Sequence, residues 1–385
     1  MKKINVLLYI DSLMIGGMHR QTLFLAKYLD KKIFNVIVLT QNTDKGGLRN
    51  EFLKTNCKII DLGRNSIPSS KKPFNPFLSF KLYRILIKEQ IDLVYLNAAP
   101  NLIYFQIAKF FIPRKIKQIG SFRALTFWKG HLNPKLQSLD NYFARLLYHT
   151  SDFTIVNSNA LSIHYSSILN IKSEKPLIVI NNGSDFDINV KIHPTDIRKE
   201  LNLSSNEVFI VMVARLDPWK DFITIIRAIS ILILKYTTLK LYLIGEGSER
   251  LKIENLINEY NLQKNVFLLG EKVNAIDYIN ACDISVLSTF GEGFSNTILE
   301  SMYLKKPIVA TKVGGNVDLI GQTDEFGFLV SPNSPIEFAN KIEILISDLD
   351  LRHKIGNAAN FRITHMCNMQ VYIEKYTKIF LSNFE

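Results

Sequence analysis

Residues 208–228 read VFIVMVARLDPWKDFITIIRA. The opening residues are apolar without alternation, the pattern of a strand buried on both faces of a parallel sheet. A turn and then a helical segment, 219–236, follow. Arg215 falls at the end of the strand and Lys220 just before the helix, so both face the sheet edge where ligands bind in α/β folds. Two cations there suit the two negative charges of a diphosphate leaving group, most of all as its charge grows in a transition state. The alternative for the turn alone is a solvated one, and the diphosphate reading is preferred to it.

Working outward, the whole chain alternates strands and helices, as parallel sheets covered on both faces do. Candidate strands before the middle are 3–10, 34–40, 58–62, 91–97, 116–121, 152–157 and 177–181. Beyond it they are 208–214, 239–244, 265–269, 283–288, 307–311 and 327–330. Helical segments between them include 17–30, 76–90 and 334–348, with a last one near 368–382. Residues 184–207 show no strand pattern and read as a connector between two doubly wound halves. The expected class is α/β: two Rossmann-like domains, 1–187 and 188–367, with a cleft between them.

The chain has 385 residues, 47% of them hydrophobic, which is enough for two cores. Cys57, Cys282 and Cys367 are scattered, odd in number and without metal spacing, which argues against a disulfide framework and a zinc site. The start, MKKINVLLYIDSLM, has a charged lead and an apolar run, but the run ends at Asp11 without a small-residue cleavage site, so a buried first strand is expected. No run reaches the roughly 18 apolar residues of a spanning helix, and a cytoplasmic protein is expected.

Charge is divided unevenly. Residues 1–150 carry 24 Lys and Arg against 8 Asp and Glu, a net of +16, while the remainder is net −4. Such asymmetry points to an anionic partner for the first half: a nucleic acid, a membrane surface or an acidic polymer. Two segments there, KKPFNPFLSFKLYRILIK (71–88) and LIYFQIAKFFIPRKIK (102–117), mix aromatics with Lys and Arg. Such a surface can rest in a lipid headgroup layer, although aromatics in the core with lysines in solvent give the same pattern.

A second chemical cluster is STFGEGFSNTILESM, 288–302. A strand precedes it, Gly291 and Gly293 flank Glu292 in a tight loop, and Ser295 or Asn296 caps a helix. Helix N-termini favour anions such as diphosphate, whereas carboxylates accept hydrogen bonds from hydroxyls. Glu292 in the loop and Glu300 inside the helix thus fit a ligand with a central diphosphate and a hydroxyl-bearing ring at each end, a nucleotide sugar. On their own, two glutamates eight positions apart read as a helix-capping residue and a surface residue; their neighbours change that.

In combination these segments resemble the large retaining glycosyltransferase family 4, of GT-B fold, over nearly the whole chain. ARLDPWKDF (214–222) is similar to its Arg/Lys phosphate motif, LIGEGSERLKIENLI (243–257) to the following strand–loop–helix, and the two-glutamate segment to its E-x7-E element. KKPIVATKVGGNVDLI (305–320) is similar to the segment after that, and NNGSD (181–185) to its N-G-x-D linker. The resemblance implies that Arg215 and Lys220 contact the diphosphate, Glu292 the donor sugar and Glu300 the ribose. It places the backbone of Gly293, Phe294 and Ser295 along phosphate and sugar. It also implies that the C-terminal helix, within 368–385, crosses back onto the first domain.

In the first domain DSLMIGGMHRQTLFLAKYL (11–29) resembles the family's G-G-x-E-R element, with Gly16 and Gly17 admitting the donor phosphate. His19 stands where the family has glutamate, as surface variation or with a role toward the acceptor. After the strand in QIGSFRALTFW (118–128), where many relatives carry a histidine, this chain offers Arg123 beside Ser121 and no histidine until His131. Arg123 is a candidate for an acidic acceptor or the donor phosphate, while His131 and His149 read as surface residues. The D-x-D spacings at 185–187 and 348–350 lie at the start of the connector and at a helix end, so no metal or other cofactor is expected.

The resemblance implies a metal-independent transferase moving sugar from a nucleotide sugar to a glycan or lipid-linked glycan, as in surface-polysaccharide assembly, at the inner membrane face. The rival readings are a nucleotide-sugar epimerase or glycan phosphorylase of the same architecture, and a basic nucleic-acid-binding module. No RNA- or DNA-reading motif supports the last.

Overall fold

The computed structural model describes residues 2–14, 16–41, 47–63, 76–97, 99–124, 134–171, 175–184, 190–382 and 384. It divides into two compact units, Met1–Ser184 with Met369–Glu385, and Asp185–Asn368. The first holds strands β1 (Ile4–Ile10), β2 (Phe34–Thr40), β3 (Lys58–Asp61), β4 (Leu93–Leu96), β5 (Lys117–Phe122), β6 (Phe153–Val156) and β7 (Leu177–Val179). The second holds β8 (Val208–Val213), β9 (Leu239–Ile244), β10 (Val266–Gly270), β11 (Ile284–Leu287), β12 (Ile308–Thr311) and β13 (Phe328–Val330). All thirteen expected strands are present, each within two residues at either end.

Both sheets are parallel, in the orders β3-β2-β1-β4-β5-β6-β7 and β10-β9-β8-β11-β12-β13. The strand order reverses direction between β1 and β4 in one and between β8 and β11 in the other. Those are the switch points where doubly wound sheets leave a crevice beyond the strand ends.

Strand β8 shows why its residues make this structure. Ile210 and Met212 are buried with Phe222, Ile225, Ile226 and Ile229 of the helix Phe222–Leu232. Phe209 and Val211, pointing the other way, are buried with Tyr242, Ile244, Tyr278 and Ile279. Each such side chain contributes about 1.5–3 kcal/mol by leaving water. The helix starts where Asp221 caps it, its Oδ1 accepting from the Thr224 amide at 3.1 Å.

The connector is less plain than the sequence reading made it. It contains the helix Pro194–Glu200, with His193 as N-cap and Pro194 in the first turn, and its Ile197 is buried in the second unit's core. The D-x-D at 185–187 lies outside the described residues.

The last helix, Met369–Leu381, packs in the first unit, where Tyr372, Tyr376, Ile379 and Phe380 share a core with Val6, Leu8, Phe34 and Tyr95. Arg123, at the end of β5, fastens it there. Its Nη1 donates to Asn182 Oδ1 at 2.8 Å, and its Nη2 reaches the hydroxyls of Tyr95 (2.9 Å) and Tyr376. Burial pushes the Tyr376 hydroxyl far above its usual range, so it stays protonated beside the cation. Arg123 therefore serves the fold with both terminal nitrogens, a placement that departs from the phosphate or acceptor role expected of it.

Replacing it by Met removes the guanidinium donor from three buried residues, Asn182, Tyr95 and Tyr376. Arg123→Met is expected to cost about 2–3 kcal/mol and to loosen the last helix. A lower Tm with faster proteolytic release of the C-terminal segment is the readout; an unchanged Tm would show the contacts to be dispensable.

Candidate active site

The site grows from the two loops that leave β8 and β11 at the switch point of the second unit. They are laced together by the backbone: the Asp221 amide donates to Ser288 O (3.1 Å) and the Phe290 amide to Trp219 O (3.0 Å). Thr289 Oγ1 also donates to Trp219 O at 3.0 Å, and the Trp219 indole N–H donates to Gly291 O. The loop after β11 is pinned from its other side by Thr311, whose hydroxyl donates to Thr289 O (2.9 Å) and accepts from the Thr289 amide (3.0 Å).

These anchors bring Lys220 and Glu292, 72 residues apart, into an ion pair with both side chains mostly buried. Withdrawn from water, each charge depends on the other, and a ligand that replaces one partner must supply equivalent contacts. Lys220 also lines a cavity of about 210 Å³ with Pro218, Phe222, Glu249, Lys252 and Phe290.

A third loop, after β12, supports Glu292 from behind. The Gly315 amide donates to Glu292 O at 2.9 Å. A Cβ on Gly314 would stand 2.0 Å from Glu292 O, and one on Gly315 would stand 2.1 Å from Gly293 O. Gly314 moreover has φ +45° with ψ −135°, a combination that only glycine adopts without strain. Sequence reading gave this glycine pair no role; the signal was there as two glycines between a strand and a helix, VGGN.

Ser295 is the N-cap of the helix Asn296–Tyr303, its Oγ accepting from the Ile298 amide at 3.3 Å. Thr297 Oγ1 donates to Val213 O (3.0 Å), holding the first turn against the end of β8. Phe294 points into the core, and Gly293 and Ser295 on either side of it are buried as well. Glu300 lies half-buried further along the same helix. A helix start held this firmly presents oriented amides and partial positive charge to an anion.

Arg215 is placed differently. Its side chain is 83% exposed and pairs with Asp217 Oδ2 at 2.9 Å, a contact worth little in water. Lys220 and Glu292 are brought together; Arg215 stays out in solvent on the loop that carries Lys220.

In the first unit, Gly16 is the N-cap of the helix Gly17–Tyr28, in extended backbone that any residue adopts. His19 turns its Nε2 onto Asp11 Oδ1 (2.8 Å), with Ser12 Oγ at 3.4 Å. Burial raises the Asp11 pKa, but the hydrogen bond and charge of His19, together with backbone hydrogen bonds at Asp11 and Ser12, hold the carboxyl below its usual value. His19 Nδ1 is buried without a hydrogen-bond partner, and a Cβ on Gly16 would lie 2.9 Å from it. The imidazole thus fills the space that Gly16 leaves beside the end of β1. His149 is exposed in the last turn of the helix Pro134–Thr150, and His131 lies outside the described residues.

Among the described residues no three His, Cys, Asp or Glu side chains gather as a metal site, and the cysteines are free. The Asp348 of the second D-x-D caps the helix Leu349–Met366 through the Leu351 amide (2.8 Å).

Residues 15–188 match the family described as Glycosyltransferase Family 4, and residues 194–361 match Glycosyl transferases group 1. The chain is a family 4-type glycosyltransferase. The enzyme is 28% identical, over 94% of its length and 95% of the relative's, to the N-acetylgalactosamine-N,N'-diacetylbacillosaminyl-diphospho-undecaprenol 4-alpha-N-acetylgalactosaminyltransferase of Campylobacter jejuni. It is 22% identical to the N-acetyl-alpha-D-glucosaminyl L-malate synthase of Bacillus anthracis, over 80% and 79% of the two chains.

Among solved structures, Anabaena HepE in complex with UDP and glucose superposes with a TM-score of 0.82 at 22% identity, covering 98% of this chain and 100% of that one. The sucrose-phosphate synthase of Thermosynechococcus elongatus gives 0.82 at 18% identity, covering 99% of each. The glycosyltransferase therefore has the GT-B fold of two Rossmann-like units. Relatives that transfer sugars weigh against the epimerase, phosphorylase and nucleic-acid readings.

Proposed function

We propose that this glycosyltransferase takes a sugar from a nucleoside diphosphate donor bound at the β8–β11 switch point and passes it, with retention of anomeric configuration, to a glycan or lipid-linked glycan. The observation that carries the reading is the Lys220–Glu292 pair beside the Ser295-capped helix: a cation, an anion-binding helix start and a hydroxyl acceptor within one frame. In the mechanism proposed, the donor's diphosphate competes with Glu292 for Lys220. As Lys220 turns to phosphate, the Glu292 carboxylate is released to accept from hydroxyls of the transferred sugar. Glu300 accepts from the ribose.

Arg215 swings from Asp217 to the diphosphate, and the backbone of Gly293, Phe294 and Ser295 completes its cradle. These groups gain most when the diphosphate departs and its charge grows. Gly16 and Gly17 are assigned to the donor phosphate, and His19, held by Asp11, to the acceptor. The scheme calls on no metal and no covalent nucleophile.

The acceptor class is supported by relatives: one is named for a diphospho-undecaprenol acceptor, another as a capsular polysaccharide biosynthesis glycosyltransferase of Staphylococcus aureus. Surface-polysaccharide assembly at the inner membrane face is the setting proposed, by a protein none of whose described helices is long and apolar enough to cross a membrane.

Thermal unfolding against a panel of nucleoside diphosphates and their sugars tests the donor site. One nucleotide family is expected to stabilise the protein, by about 2.7 kcal/mol at a hundred times its Kd, and Glu300→Ala to abolish the shift. No shift with any nucleotide would overturn the proposed site.

A further inference from the structure

The first unit carries a surface that the donor site does not use. On the helix Pro76–Lys88, Leu78, Leu82 and Leu86 are buried in the core, while Phe77, Phe80, Arg84 and Ile87 recur at helical spacing on the outer face. Phe77 is 75% exposed and Phe80 57%. The neighbouring helix, Ala99–Phe110, ends in Phe110 (84% exposed), followed by Phe111 (65%). Arg114 ties the two helix ends together, its Nη2 donating to Ile91 O (2.6 Å) and Leu86 O (3.4 Å). Ile87 and Lys88 therefore share an end with Phe110, Phe111 and Lys115.

Four exposed phenylalanines are far more than scattered surface apolar residues account for, and their setting is cationic. Neither helix contains an acidic residue, and Lys81, Arg84, Lys88 and Lys115 are all exposed among the rings. Arg84 stands 5.3 Å from the Phe80 ring centroid. Exposed aromatic rings interleaved with cations match a headgroup layer: rings enter the acyl boundary while Lys and Arg meet lipid phosphates. A second copy of the chain fits poorly, because a two-fold contact would set these cations against themselves.

We propose that the outer face of Pro76–Lys88, with the Phe110–Phe111 end of the next helix, docks on the headgroup layer of an anionic bilayer. The proposal rests on and deepens the reading of a membrane-linked acceptor, since docking would hold the enzyme in the plane where such an acceptor lies.

The test is co-flotation of the full-length protein with phosphatidylglycerol–phosphatidylcholine vesicles and with phosphatidylcholine vesicles alone. The wild type is expected to float with the anionic vesicles only, and less so as salt rises. Phe110→Ser with Phe111→Ser, and separately Arg84→Glu with Lys88→Glu, are each expected to weaken binding roughly tenfold or more. All these side chains are exposed, and an unchanged nucleotide-induced thermal shift verifies that each variant is folded with its donor site intact. That shift also separates the two readings: its loss bears on the donor site, and loss of flotation alone bears on this face. Absence of wild-type flotation, or variants that float like wild type, would overturn the proposal. So would salt-sensitive oligonucleotide binding, or self-association, that the variants abolish while vesicles go unbound.

Discussion

Glu292→Gln is expected to abolish most transfer while leaving the nucleotide bound as tightly as before. The amide keeps the shape of the side chain but loses the charge proposed to accept from sugar hydroxyls and to face the growing positive charge at the anomeric carbon. Losing one such preorganised group costs about 10²–10³-fold in turnover, or about 3–4 kcal/mol. Lys220 loses its ion-pair partner in the same step. A diphosphate then no longer competes with a carboxylate for that lysine, so nucleoside diphosphate affinity is expected to hold or to rise. Glu300→Ala should do the reverse, weakening nucleotide binding with a smaller loss at saturating donor. Measuring turnover and nucleotide Kd for both variants decides the matter: equal loss of nucleotide affinity in the two would refute this division of labour.

Gly314→Ala should cripple the enzyme although Gly314 itself is assigned no contact with the substrate. The added methyl would stand 2.0 Å from Glu292 O, and the residue would be held at φ +45°. Overpacking against backbone and an unfavourable backbone conformation each cost about 1–3 kcal/mol, so about 2–6 kcal/mol together. The loop that carries Glu292 is the part able to yield, and its movement would break the pairing with Lys220. Gly321→Ala is the control, because Gly321 also has positive φ (+85°) but no neighbour closer than 3.7 Å to the added Cβ. It should lose some stability and keep its activity. Equal loss of activity in the two would mean that the close approach to Glu292 is irrelevant to the chemistry.

The strands were legible because parallel strands buried on two faces are apolar without interruption, as in VFIVMV and LKLYLI. The loops of the candidate site were legible as types: cations after one strand, glycines and glutamates after another. Their partners were not. That Lys220 meets Glu292 depends on where β8 and β11 lie in the sheet, which no local pattern states. Arg123 is the plainest case, since its partner Tyr376 lies 253 residues away and became visible only once the last helix was seen in the first unit's core. The helix in the connector was readable in part, for Pro194 after a capping residue is a helix start.

That last helix sets an order of events during synthesis. A chain emerging from the ribosome exposes β1 to β7 first, yet their core is closed by Tyr372, Tyr376, Ile379 and Phe380. The first unit must wait, with apolar surface uncovered, until the second has been made. The second unit has its segment whole before the first does, and so is the one able to complete its fold while translation continues.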